Sequence, residues 1–197
     1  MGKRAEQHEH RRLQLLQIAL DQFITKGFHG TSTREISRIA GISSGLMFNY
    51  FSTKESLFEA LVEIGCSKMV LETDSGEGAS PLVLLEKQVR GLLHMIAEKP
   101  QAAKMFVFMA YASYNAQTIS PQAGALLASH NLIEQCVPLI EEGQKLGEIR
   151  PGNPIALSMA FWCSIQGIAQ ELALNPGNPL PEAGWLLDIL RVREVRE

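Results

Sequence analysis

Apolar residues recur at three-and-four spacing from the start of the chain. Leu13, Leu16, Ala19, Leu20 and Phe23 lay one stripe along a helix predicted from about Glu6 to Lys26. Gly27 closes it, since glycine tolerates the left-handed backbone that ends many helices. Phe28 to Thr31 then reads as a connector. Ser32 followed three residues on by Glu35 is a capping box, in which each side chain serves the other residue's backbone N–H. Ile36, Ile39 and Ala40 form the predicted buried face of that second helix, and Gly41 stops it. Ser43 is placed to cap a third helix containing Leu46, Met47, Tyr50 and Phe51. Two short helices around a tight glycine turn, over about Ser32 to Phe51, form a helix-turn-helix layout.

Beyond Ser52 to Glu55 a longer helix carries Leu57, Phe58, Leu61, Val62, Ile64 and Met69. Asp74 to Ser80 is a polar, glycine-containing loop. Pro81 opens a helix to about Glu98, and Pro100 another to about Tyr114. A long amphipathic segment is predicted from Pro121 to Lys145, followed by a turn from Gly147 to Gly152. Pro154 to Leu174 is apolar on nearly every side and is expected to be covered all round. A last helix, about Pro181 to Arg193, carries Trp185, Leu186, Ile189 and Leu190. With no alternating strand-like run and no internal repeat, the pattern predicts an all-α fold of about nine helices.

Composition adds little until charge is divided along the chain. Nearly half the residues are apolar (46%), ample for a core, yet no apolar run approaches the ~18 residues of a membrane span. Polar residues follow the basic start, unlike a secretory signal, so a cytoplasmic location is expected. Cys66, Cys136 and Cys163 are widely spaced in apolar sequence and read as buried free thiols. Residues 1–54 hold eight Lys/Arg against four Asp/Glu, and the remainder ten against seventeen. A basic head on an acidic body points to a polyanion facing the head alone.

The stretch from Thr31 to Leu57, TSTREISRIAGISSGLMFNYFSTKESL, closely resembles the DNA-binding domain of the tetracycline-repressor (TetR) family. The capped helix start, the Ala40-Gly41 turn, Gly45 early in the third helix, and Tyr50-Phe51 before Lys54-Glu55 agree together, over roughly residues 10–62. The resemblance implies a three-helix DNA-binding domain over 1–53 and a helical effector-binding and dimerisation body over 54–197. It implies a homodimer through a four-helix bundle of the last two helices, repression relieved by a small molecule, no cofactor and no enzymatic activity. It also assigns Thr33, Tyr50 and Lys54 to operator phosphates. The chain departs from the commonest family pattern at Ser44, Leu46 and Phe48, where lysine, threonine and tyrosine are frequent.

The residue types support these roles independently. Gly45 lets the third helix approach DNA, and Ser43 and Ser44 offer hydroxyls and amides to phosphate. Asn49 suits the edge of adenine, while Phe48 suits a thymine methyl. Lys3, Arg4, Arg11 and Arg12 are expected to form a mobile basic arm. One recognition helix spans few base pairs, so a palindromic operator bound by a dimer is expected. Met95, Met105, Phe108, Met109, Tyr114, Trp162 and Gln166 are the expected contacts of a mainly apolar ligand, because soft and aromatic side chains shape such pockets.

Two other chemistries lack support in the sequence. Gly41-Ile-Ser-Ser-Gly45 matches a nucleophile elbow, but that motif needs a strand entering the turn, and here a capped helix precedes it. His94, His130 and Cys136 lack the spacing of a metal-ligand pair. The alternative class is a helical DNA-binding or interaction protein that senses no effector.

Overall fold

The computed structural model describes residues 2–69, 71 and 80–192. Ten helices lie among them: α1 (Lys3–Gly30), α2 (Thr33–Ile39), α3 (Ser44–Phe48), α4 (Lys54–Lys68), α5 (Pro81–Glu98), α6 (Pro100–Ile119), α7 (Pro121–Ser129), α8 (Leu132–Lys145), α9 (Pro154–Leu174) and α10 (Ala183–Leu187). An antiparallel bridge of Ile149 with Arg191 is extended pairing among the described residues, too short to be a strand. The fold is all-α, as the pattern predicts. The segment from Pro121 to Lys145 is two helices, because Asn131 caps a new one by accepting from the Ile133 N–H at 3.1 Å. Positions 74–79 of the expected polar loop, and Arg193 of the expected last helix, lie outside the described residues.

The elements gather into two compact units. One holds residues up to Lys68 together with Lys104–Ser129, and the other holds Met69–Ala103 and residues from His130 onward.

In the first unit, α1 buries Leu15, Leu16, Ala19, Leu20 and Phe23, while Leu13 stays outside the stripe at 46% exposure. Each such Leu or Phe contributes about 1.5–3 kcal/mol when fully buried. Phe23, Phe28, Phe58 and Phe108 form one aromatic cluster, with ring centroids 5.3–6.1 Å apart in the contacting pairs. Gly27 has φ 69° and ψ 174°, which breaks helical geometry where glycine was expected to end the helix. The break frees the Phe28 N–H, which donates to the Tyr111 hydroxyl of α6 at 2.9 Å. Lys104 pairs with Asp21 at 2.6 Å, a second link from α6 to α1. Gly65 of α4 lies directly under Met109, whose Sδ would overlap any added Cβ.

In the second unit α8 packs along α9, and α10 packs on α5 and α9. Arg150 ties the α8–α9 turn to the chain after α10, donating to Asp188 O at 2.8 Å and Arg191 O at 3.2 Å. Glu148 accepts from the Ser80 hydroxyl at 2.6 Å, so the turn also holds the start of α5. Helix α9 has the predicted bounds, but one side is open. Ile155, Met159, Cys163 and Leu174 are exposed, while Ser158, Phe161, Trp162 and Ile165 are buried. Cys163 therefore departs from the expectation of three buried thiols, whereas Cys66 and Cys136 meet it. The last helix is only five residues long, and Trp185 on it is exposed.

Candidate nucleic-acid interface

Local hydrogen bonds build the helix-turn-helix. Ser32 Oγ accepts from the Glu35 N–H at 3.2 Å and starts α2. The reciprocal half of the expected capping box does not form. The Glu35 carboxylate instead takes Lys26 Nζ of α1 at 2.7 Å, and that ammonium, with Arg38 behind it, holds the carboxyl below its usual range. Ile36 and Ala40 are buried as predicted. Ile39 is 44% exposed, and Ser37 replaces it inside, its hydroxyl donating to Thr33 O at 2.5 Å. Gly41 turns the chain at φ 67°, a conformation that disfavours any side chain. Ser43 Oγ then accepts from the Leu46 N–H at 3.1 Å to open α3.

On α3 the buried residue is Met47, at 1% exposure. Gly45 and Asn49, four residues apart, share the face opposite Met47. Leu46 and Phe48 flank that face at 40% and 56% exposure. Ser43, Ser44, Gly45 and Asn49 are exposed, so the third helix presents small, amide and apolar groups to solvent. Phe51 is buried under the Arg12 guanidinium, 5.3 Å from its ring centre.

Flanking α3, the N-terminal turns of α1 supply cations. Lys3, Arg4 and Arg11 line an open groove with His8, Leu46 and Tyr50. This basic segment is helical from Lys3, not the mobile arm expected, because the α1 pattern continues backward to a start after Gly2. The Tyr50 ring is half-buried and stacked on His8, with centroids 4.5 Å apart. Thr33 is half-buried at the first turn of α2, and Arg34 and Arg38 of α2 are exposed.

Lys54 has a different place from the one its resemblance implies. Its Nζ turns inward, donating to Phe28 O at 2.6 Å and Thr31 O at 2.9 Å, and sits 4.2 Å from the Phe28 ring centre. The Phe28 and Thr31 carbonyls after the Gly27 break attract it, so it fixes the turn that enters α2. Sequence reasoning also missed the Tyr111 bond to Phe28, the two being 83 residues apart, and no local pattern signals such a contact.

The expected ligand contacts are dispersed. Met105, Phe108, Met109 and Tyr114 belong to the first unit, and Met95, Trp162 and Gln166 to the second. Phe108 is sealed in the aromatic cluster, Met109 fills the space at Gly65, and Tyr114 is 90% exposed, so packing or solvent accounts for these three. Met95 and Met105 are half-buried on α5 and α6. Trp162 is buried, and its indole N–H finds no oxygen acceptor. It stands beside the Cys136 thiol, whose burial raises its pKa against weaker help from Trp162 and Ser158. Gln166 follows one turn later on α9. Among the described residues no helix is long and apolar enough to cross a membrane.

Known proteins agree with this arrangement. Residues 15–61 match the model of the bacterial regulatory proteins, tetR family. The chain is 29% identical over 169 residues to the HTH-type transcriptional regulator RutR of Escherichia coli O157:H7, covering 85% of this chain and 78% of that protein. Among solved structures, the MbdR regulator of Azoarcus sp. CIB shares the fold with a TM-score of 0.73 at 22% identity, over 91% of this chain and 96% of that one. AibR in complex with isovaleryl coenzyme A and operator DNA gives a TM-score of 0.66 at 17% identity, over 90% and 94%. By its helix-turn-helix, its fold and these likenesses, the chain is similar to the DNA-binding bacterial regulatory proteins of the tetR family, whose model matches it over residues 15–61.

Proposed function

We propose that this regulator represses transcription by binding a palindromic operator as a homodimer, and that a small, mainly apolar ligand releases it. The observation that carries the reading is the exposed face of α3, opposite buried Met47 and beside the cations of α1. In this reading 1–53 is the DNA-binding domain and 54–197 the effector and dimerisation domain. Asn49 and Phe48 read bases, Gly45 permits the approach, and Thr33, Ser43, Ser44 and Tyr50 meet phosphate. Lys54 acts indirectly, by holding the α1–α2 turn.

The open side of α9 supports a second copy as partner. Ile155, Met159 and Leu174 are exposed apolar residues on a helix in which Gly167 permits close approach, and Trp185 of α10 is exposed as well. For the effector, Trp162 and Gln166 on α9 and Met95 on α5 are the proposed contacts. The buried Trp162 N–H supports a ligand with a hydrogen-bond acceptor on an apolar body. AibR, crystallised with both an acyl coenzyme A and operator DNA, is a precedent for such dual binding in this fold.

Release is a population shift: the ligand favours protomers whose recognition helices no longer match successive major grooves. A coupling of about 1–3 kcal/mol changes operator affinity about 5–150-fold. DNase footprinting on the DNA upstream of its own gene tests the reading, with thermal-shift screening of apolar compounds to supply effectors. A two-fold symmetric footprint that a stabilising compound erases is expected. Uniform protection that no compound alters supports instead a DNA-binding protein without an effector.

A further inference from the structure

We propose that α3 selects an A·T core in each operator half-site by contacting thymine methyl groups with Leu46 and Phe48. The proposal rests on α3 being the recognition helix. Between Ser43 and Thr53 the chain has no lysine, arginine, aspartate or glutamate. Guanine is most often read by the forked contact of Arg or Lys with O6 and N7, and cytosine N4 by a carboxylate. This helix can make neither contact. Arg34 and Arg38 belong to α2, the helix that crosses the DNA backbone in this motif.

What α3 presents is apolar. Leu46 and Phe48 are 40% and 56% exposed although their neighbour Met47 is buried, so neither serves the core. They stand on the two flanks of the Gly45–Asn49 face, where a helix seated in the major groove meets its walls. The thymine C5-methyl is the apolar group that base pairs offer in that groove. Asn49, on the central face, pairs with adenine N6 and N7, the partner of thymine. A protein partner for the same apolar residues is disfavoured by the cations of Lys3, Arg4 and Arg11, which line the groove that Leu46 enters.

The test selects duplexes from a randomised pool with the full-length protein, then replaces deoxythymidine by deoxyuridine in the enriched core. The enriched half-sites should share A·T pairs at the positions facing α3. Each methyl removed should weaken binding about fourfold, the worth of one buried methyl group. In Phe48→Ala or Leu46→Ala, whose side chains are exposed, the same replacement should cost less, with the melting temperature unchanged. A G·C core, or an A·T core indifferent to uracil in the wild type, overturns the proposal. Failure to enrich any sequence overturns the recognition-helix reading beneath it, so the two failures are distinct.

Discussion

Asn49 and Glu35 show how differently exposed polar residues act in this head. Asn49 projects from the face opposite Met47, and its amide is free of any core duty. Asn49→Ala should lower operator affinity by about 5- to 150-fold, a loss of about 1–3 kcal/mol at one base contact. Discrimination should relax at that position while the unfolding midpoint stays unchanged. Anisotropy on matched and mismatched duplexes checks both effects. Glu35 works inside the head, bridging α2 to Lys26 of α1. Because its hydrogen bond to Lys26 depresses the carboxyl's pKa, the stability it lends is complete above the ordinary value of 4.5. That contribution is lost as pH falls through the depressed value. The gap in melting temperature between wild type and Glu35→Gln should therefore narrow on acidification below 4.5; a gap that widens contradicts the assignment.

At the scale of elements, the junction of α1, α4 and α6 decides how firmly the turn into α2 is held. After the Gly27 break Tyr111 takes the Phe28 N–H, and Lys54 donates to the Phe28 and Thr31 carbonyls, the first of which also accepts the Thr31 N–H. Tyr111→Phe leaves the Phe28 N–H unpaired beside the aromatic cluster and should cost about 1–3 kcal/mol in denaturant unfolding. Hydrogen exchange at the Phe28 amide should accelerate more than at the amides of α4, and unchanged exchange there argues against the contact. This junction also marks the limit of what could be read from sequence. Ser32, Gly41 and Ser43 act within four residues, so the bounds of the helix-turn-helix were legible from spacing. The whole of α9 was legible too, because Pro154 and Asn175 punctuate it. Tyr111 and Lys54 could be seen to lie on helices, but not to converge on Phe28, since tertiary packing chose those partners. The same limit explains Phe108 and Met109. A soft apolar stripe looks alike whether it faces a ligand or a neighbouring helix, and Gly65 is what assigns Met109 to packing.

At the scale of the whole molecule, the proposed dimer should cover the open side of α9, with Cys163 among its exposed residues. Alkylation of Cys163 should slow as protein concentration rises through the dimerisation range, while buried Cys66 and Cys136 stay unreactive until unfolding. A Cys163 rate independent of concentration, in a protein that sediments as a dimer, places the interface elsewhere. The division of charge belongs to this scale as well. With eight Lys/Arg against four Asp/Glu in residues 1–54 and an acidic remainder, operator binding should weaken as salt rises without losing its sequence preference. The most direct measurement is fluorescence anisotropy of the full-length protein with DNA from upstream of its own gene and with a scrambled duplex, across a salt series. Binding to the native duplex at least about 10³-fold tighter than to the scrambled one is the predicted result. No binding to either duplex, even at low salt, contradicts the account.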